Sequence, residues 1–305
     1  MARVSPGDDR DLVRLPDGRA AQLWQGGASH GPAVFFLHGC PDTRRAAFTG
    51  AEAARRAGVR LVAVNRPGYG RSDPHTSGHA SVADDTVAVA DLLGVDRFAA
   101  LGMSVGGSYA LACAARHPER VRAVGVVAGP APIAELDPPS HRDDQTPQQL
   151  AFIGRVGAAG TISEAADLMQ PEFEDYVARL APRDADDVGL ARRFAAGLHP
   201  QDAALMAALP PAEVAASARE ALVRTEGYLR DAAVMFRPWE VRPEQIACPA
   251  WLWYGALDAN ASVRNGQWLA EHVPGARLVI RERTAHLATL LRHWDEILTV
   301  LRDPA

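Results

Sequence analysis

Short, nearly continuous apolar runs recur along the first half of the chain. They are Ala33-Val-Phe-Phe-Leu37, Arg60-Leu-Val-Ala-Val64, Phe98-Ala-Ala-Leu-Gly-Met103 and Val121-Arg-Ala-Val-Gly-Val-Val127. Runs of this kind, bounded by turn residues, read as strands buried on both faces. Between them the pattern turns helical. Arg44–Ala57 ends at Gly58, Ser81–Leu93 starts on Ser81 as a cap and stops at Gly94, and Ser108–Arg116 is rich in alanine. Ahead of these, Leu12–Leu15 and Ala20–Trp24 flank Pro16-Asp17-Gly18 and predict a hairpin. Alternation of buried strands with helices predicts a mostly parallel sheet covered on both faces.

The rhythm breaks after Gly129. From 131 to 243 no buried strand is legible, and proline-punctuated helices take over: Pro147–Val156, Thr161–Met169, Glu172–Leu180, Asp187–Gly197, Gln201–Leu209 and Pro211–Phe236. A connection of this length without structure of its own would be improbable. Strands resume at Ala250–Tyr254 and Ala276–Ile280, and a helix over Ala288–Leu301 closes the chain. The expected architecture is therefore α/β. Residues 1–130 and 244–305 form an eight-stranded sheet core, and 131–243 form a helical cap inserted after the sixth strand.

Composition narrows the function. A length of 305 residues suits one large α/β domain or a core with an insertion. The net charge of -5 offers no footprint for nucleic acid. No apolar run approaches the roughly 18 residues of a membrane span, and Met1–Arg14 is polar, with Asp8, Asp9 and Asp11, unlike a secretory signal. Cys40, Cys113 and Cys248 are odd in number and far apart, which fits reduced thiols in the cytoplasm rather than a disulfide frame or a metal cluster. The chain has no lysine at all. That removes P-loop enzymes, Schiff-base enzymes and the tyrosine–lysine dehydrogenases. Nothing in the sequence fixes the oligomeric state, and a homo-oligomer remains open.

The strand Phe98–Met103 runs into Gly102-Met-Ser-Val-Gly106 and then a helix. So tight a turn forces Ser104 into strained geometry, demands small residues two positions to either side, and presents the hydroxyl at a helix N-terminus. A nucleophilic serine needs a base, an orienting acid and oxyanion donors. Asp258, in Gly255-Ala-Leu-Asp258, and His286, in Arg283-Thr-Ala-His-Leu287, both follow strands at the edge that carries Ser104. Asp137, beyond the strand ending at Val127, is the rival acid. The amides of Val105 and Cys40 are the candidate oxyanion donors, since Pro41 has no N–H. No Cys–His spacing supports the Cys40 thiol as nucleophile, and His117, His272 and His293, in or at the ends of helices, read as structural or surface residues.

His38-Gly39-x-Pro41, Arg66-Pro-Gly-Tyr-Gly-Arg-Ser-Asp73, Gly102-Met-Ser-Val-Gly-Gly107, Gly255-x-x-Asp258 and Ala285-His-Leu287 span nearly the whole core. Together they resemble the α/β-hydrolase superfamily in its capped, serine-nucleophile, esterase-like branch. Ala285 stands where relatives usually carry glycine. Dehalogenases and epoxide hydrolases of this fold use an aspartate nucleophile, so Ser104 argues against both. The resemblance implies cleavage of an ester, thioester or lactone of a small acyl substrate through an acyl-enzyme on Ser104, with no metal or organic cofactor. The same machinery also supports carbon–carbon bond hydrolysis, acyl transfer or a lyase or cyclase step, and a non-catalytic ligand-binding relative is a further alternative. Asp42 is a substrate-binding candidate or a turn residue; Trp239 is a pocket residue or junction packing. Trp251 and Trp253 share a strand face and read as core, and Arg66 and Arg71 read as braces of their own loop.

Overall fold

The structure is a computed structural model that describes residues 11–304. The polar stretch before residue 11, with Asp8 and Asp9, lies outside the described residues. The eight strands are β1 (Leu12–Arg14), β2 (Ala20–Gly27), β3 (Ala33–Leu37), β4 (Arg60–Val64), β5 (Phe98–Met103), β6 (Val121–Val127), β7 (Ala250–Gly255) and β8 (Arg277–Arg281). They form one sheet in the order β1-β2-β4-β3-β5-β6-β7-β8. The pairings β1–β2 and β2–β4 are antiparallel, and every pairing from β4 through β3 and β5 to β8 is parallel.

Side chains alternate across this sheet as the strand period requires. Phe35, Val62, Ala100, Val124 and Leu252 enter one core, and Phe36, Leu61, Leu101, Ala123 and Trp253 enter the other. Helices α2 (His79–Leu92) and α3 (Gly106–Arg116) cover the first face. Helix α1 (Ala51–Ala57) covers the second.

Between β6 and β7 lie six helices: α4 (Pro147–Gly157), α5 (Ile162–Leu180), α6 (Asp187–Ala196), α7 (Pro200–Ala207), α8 (Pro211–Leu222) and α9 (Glu226–Phe236). They carry two small cores of their own, one around Val156, Met169 and Ala233 and one around Leu190, Ala215 and Ala218. Three further helices follow: α10 (Val263–His272) on the first face, and α11 (His286–Leu291) and α12 (Trp294–Arg302) on the second.

Several boundaries depart from the sequence expectation. Arg44–Gly50 is a 3-10 segment capped by Thr43, and the α-helix starts only at Ala51. Gly50 sits against the Trp294 ring, where a Cβ would approach to 2.7 Å. Helix α2 starts at His79 rather than Ser81; Gly78 is the cap, and the Ser81 hydroxyl accepts from the Gly78 amide at 3.0 Å. The two expected helices around Gln170 are one, since α5 runs through Pro171 with Ala165, Met169 and Phe173 buried along it. Pro211–Phe236 is instead broken after Leu222, and Gly227 in α9 is pressed on Tyr69 of the core. The closing helix begins at His286 and is interrupted before Trp294, which puts His293 at a helix cap. The helix that the sequence places at His272, without bounds, is α10, which ends on that residue.

Candidate active site

Ser104 joins β5 to α3 with φ of 53°, in the left-handed region that costs a non-glycine residue energy. Its amide donates to the Val127 carbonyl at 2.9 Å, and its carbonyl accepts from Gly107 at 2.8 Å. The flanking glycines are required by contact. A Cβ on Gly102 would lie 2.1 Å from the Gly106 carbonyl oxygen, and one on Gly106 would lie 2.1 Å from that of Leu37.

Asp258 follows β7, and His286 follows β8. His286 Nδ1 donates to Asp258 Oδ2 at 2.7 Å. The other carboxylate oxygen accepts from the amides of Asn260 at 2.7 Å and Ala261 at 2.9 Å. The Asp258 side chain is fully buried. With Nδ1 donating, Nε2 of a neutral ring is the free proton acceptor. Burial alone would lower the His286 pKa; the Asp258 charge and hydrogen bond, helped by Asp202, outweigh it and raise the pKa above its ordinary value. Asp137 is not the partner of His286; its backbone carbonyl accepts from Arg264 Nη1 at 2.8 Å.

The loop after β3 lies against the serine: a Cβ on Gly39 would stand 3.2 Å from Ser104 Cβ. Among the described residues, neither the Cys40 nor the Val105 amide donates to another backbone group. Burial pushes the Cys40 thiol up, the opposite of an activated thiolate. Asp42 accepts from Thr43 N at 2.7 Å and from the Ser217 hydroxyl of α8 at 3.5 Å. Burial is the main cause that pushes its carboxyl up to about 6.

Arg66 does more than brace its own loop. It donates to the carbonyls of His38 and Gly39 and pairs with the buried Asp231 of α9. Asp231 also accepts from the hydroxyls of Tyr69 at 2.7 Å and Tyr109 at 2.9 Å. Burial first, then the Asp231 charge, hold both phenols protonated. One charged cluster thus ties the turn at His38 to the inserted helices. Arg71 extends its loop toward Asp11, at 3.2 Å. Trp239 packs on His79, with ring centroids 5.3 Å apart, and on the core beneath it. His117 lies 2.8 Å from Asp84, and His272 stacks on Trp268 at 3.7 Å.

Gln201, Asp202 and Asp231 touch this site and were not anticipated. Asp202 follows Pro200 in the first turn of α7, where an acidic residue reads as compensation for its own helix dipole. Nothing local marks it as a partner for a distant chain segment.

A family model for the alpha/beta hydrolase fold matches residues 32–291. The chain belongs to this family. Among relatives, this α/β hydrolase is similar to pimeloyl-[acyl-carrier protein] methyl ester esterase from Chromobacterium violaceum, at 29% identity over 90% of the chain and 94% of the relative. Two solved structures share the fold. An esterase from Exiguobacterium antarcticum superposes with TM-score 0.63 at 19% identity, covering 95% of this chain and 97% of its own. An enol-lactonase from Burkholderia xenovorans LB400 superposes with TM-score 0.62 at 18% identity, with the same coverage. Among the described residues, no helix of this α/β hydrolase is long and apolar enough to cross a membrane.

Proposed function

We propose that this α/β hydrolase cleaves a carboxylic ester, thioester or lactone of a small acyl substrate through an acyl-enzyme on Ser104. The observation that carries the reading is the buried Asp258–His286 pair, which stands on the sheet edge that ends in the Ser104 elbow. His286 Nε2 takes the hydroxyl proton as Ser104 Oγ attacks the carbonyl carbon. The amides of Cys40 and Val105 receive the oxyanion, and each such donor is worth about 2.7–4 kcal/mol of transition-state stabilisation. The tetrahedral centre collapses, the C–O or C–S bond breaks, and the leaving group departs with the proton from His286. A water molecule, deprotonated by His286, then releases the acid and restores Ser104.

Relatives and neighbours named for ester and lactone cleavage support this bond class. Residues 131–243 act as the lid over the sheet edge, with 11–130 and 244–304 as the described part of the core. Asp42 lines the substrate side of the oxyanion loop, and Trp239 fills the junction between lid and core. The unpaired cysteines Cys40, Cys113 and Cys248 fit a cytoplasmic enzyme.

The test is intact mass after treatment with a fluorophosphonate, with a p-nitrophenyl ester panel beside it. One adduct on the wild type and none on Ser104→Ala is expected, with turnover of short acyl esters. A folded wild type that takes no adduct and turns over no ester would overturn the reading.

A further inference from the structure

Helix α7 belongs to the inserted segment, yet its first turn grips the loop that carries His286. Gln201 Nε2 donates to the Arg283 carbonyl at 2.9 Å, and Gln201 Oε1 accepts from the Ala285 amide at 2.8 Å. Asp202, with no exposed surface, accepts from the Leu287 amide at 3.1 Å and the Ala288 amide at 2.9 Å. Two adjacent side chains therefore hold the main chain on both sides of His286.

The local sequence explains why outside help is needed. The first amides of a helix have no carbonyl in a preceding turn, and the N-cap side chain normally serves one of them. In α11 the cap is Ala285, which makes no side-chain hydrogen bond. Asp202 supplies from a distant segment what serine, threonine or aspartate would supply at the cap. Buried carboxylates demand such partners, so the bonds and the burial support each other.

We propose that Asp202 and Gln201 are positioning residues for the catalytic histidine, fixing the main chain around His286 so that its ring stays between Asp258 and Ser104. This rests on the Ser104–His286–Asp258 reading above. Neither side chain touches substrate; both act through His286.

The arrangement has an electrostatic side as well. The charged and titratable groups that face His286 and Asp258 from the elements around them are Asp202, His141, Arg142 and the Tyr254 phenol. Burial is the main cause that pulls His141 down to about 4, so its ring is neutral at pH 7. Asp202 is thus a second negative charge that favours the protonated form of His286. His286 must be neutral to accept the serine proton, so activity rises with pH through its pKa. Removing the Asp202 charge lowers that pKa and moves the acid limb to lower pH.

The experiment compares wild type, Asp202→Asn and Gln201→Ala in steady-state hydrolysis of p-nitrophenyl butyrate across pH, with melting curves alongside. Misplacing a reacting group by about 1 Å can cost 10²-fold, so Asp202→Asn is expected to lower kcat by about tenfold or more with KM within about twofold. Its acid limb should shift to lower pH. Gln201→Ala keeps the charge, so it should lower kcat with the acid limb unmoved. It also serves if Asp202→Asn does not fold. A folded Asp202→Asn whose kcat and acid limb match the wild type overturns the proposal, whatever its melting temperature. If Asp202→Asn does not fold, unchanged kcat in Gln201→Ala does so. Wild-type turnover that survives Ser104→Ala would instead overturn the triad reading itself.

Discussion

Ser104 and His286 are held by opposite strategies. The serine is fixed by its own neighbourhood: the end of β5, the start of α3, and two glycines whose Cβ positions are filled by backbone oxygens. The histidine follows a partly exposed edge strand, and its ring and main chain are held by Asp258, Gln201 and Asp202 from two other parts of the chain. The geometry of the Ser104 turn is a local property of one sequence window. The geometry around His286 is a tertiary property that includes the inserted helices.

The largest expected effect removes the chemistry on each side. Ser104→Ala should lower kcat/KM by at least about 10⁴-fold in ester hydrolysis, and Asp258→Asn should approach the same loss because the imidazole loses its tautomer and orientation. If Asp258→Asn retained most activity, His286 would be held without its acid and the contrast would fail. Next comes the elbow. Gly102→Ala places a Cβ 2.1 Å from a backbone oxygen, and overpacking of this kind should cost about 3 kcal/mol in denaturant unfolding. Asp231→Leu leaves the Arg66 guanidinium buried without its partner, which should cost about 3–5 kcal/mol of stability. It should also slow acylation, because Arg66 holds the carbonyls of His38 and Gly39. A stability loss with unchanged acylation would make that cluster purely architectural. The smallest effect is in pH. With its pKa raised, His286 is neutral only at higher pH, so kcat/KM should fall on acidification with an apparent pKa above 6.5. An acid limb below that value would show that the Asp258 charge does not dominate burial.

The same contrast governs what was legible in the sequence. Ala33–Leu37, Arg60–Val64 and Val121–Val127 coincide with β3, β4 and β6, because strands buried on both faces leave uninterrupted apolar runs. Helix ends were less legible where packing sets them. Pro171 stays inside α5 because the buried face continues through it. The break before Trp294 separates the turn that carries His286 from the helix that packs on β3 and β6. The elbow and the loop motifs nominate Ser104, Asp258, His286, Cys40 and Val105 from local spacing. Gln201, Asp202 and Asp231 lie in helices where each reads as an ordinary polar residue, and only the fold reveals their partners.

The inserted helices leave and return between two neighbouring strands, β6 and β7. Topologically they form a cassette that can be exchanged without rewiring the sheet. Two carboxylates forbid a free exchange. Asp231, through Arg66, anchors the turn at His38 and Gly39, and Asp202 anchors the segment behind His286. A transplant of these helices must therefore bring both anchors with it, which limits how independently the inserted helices and the sheet can diverge.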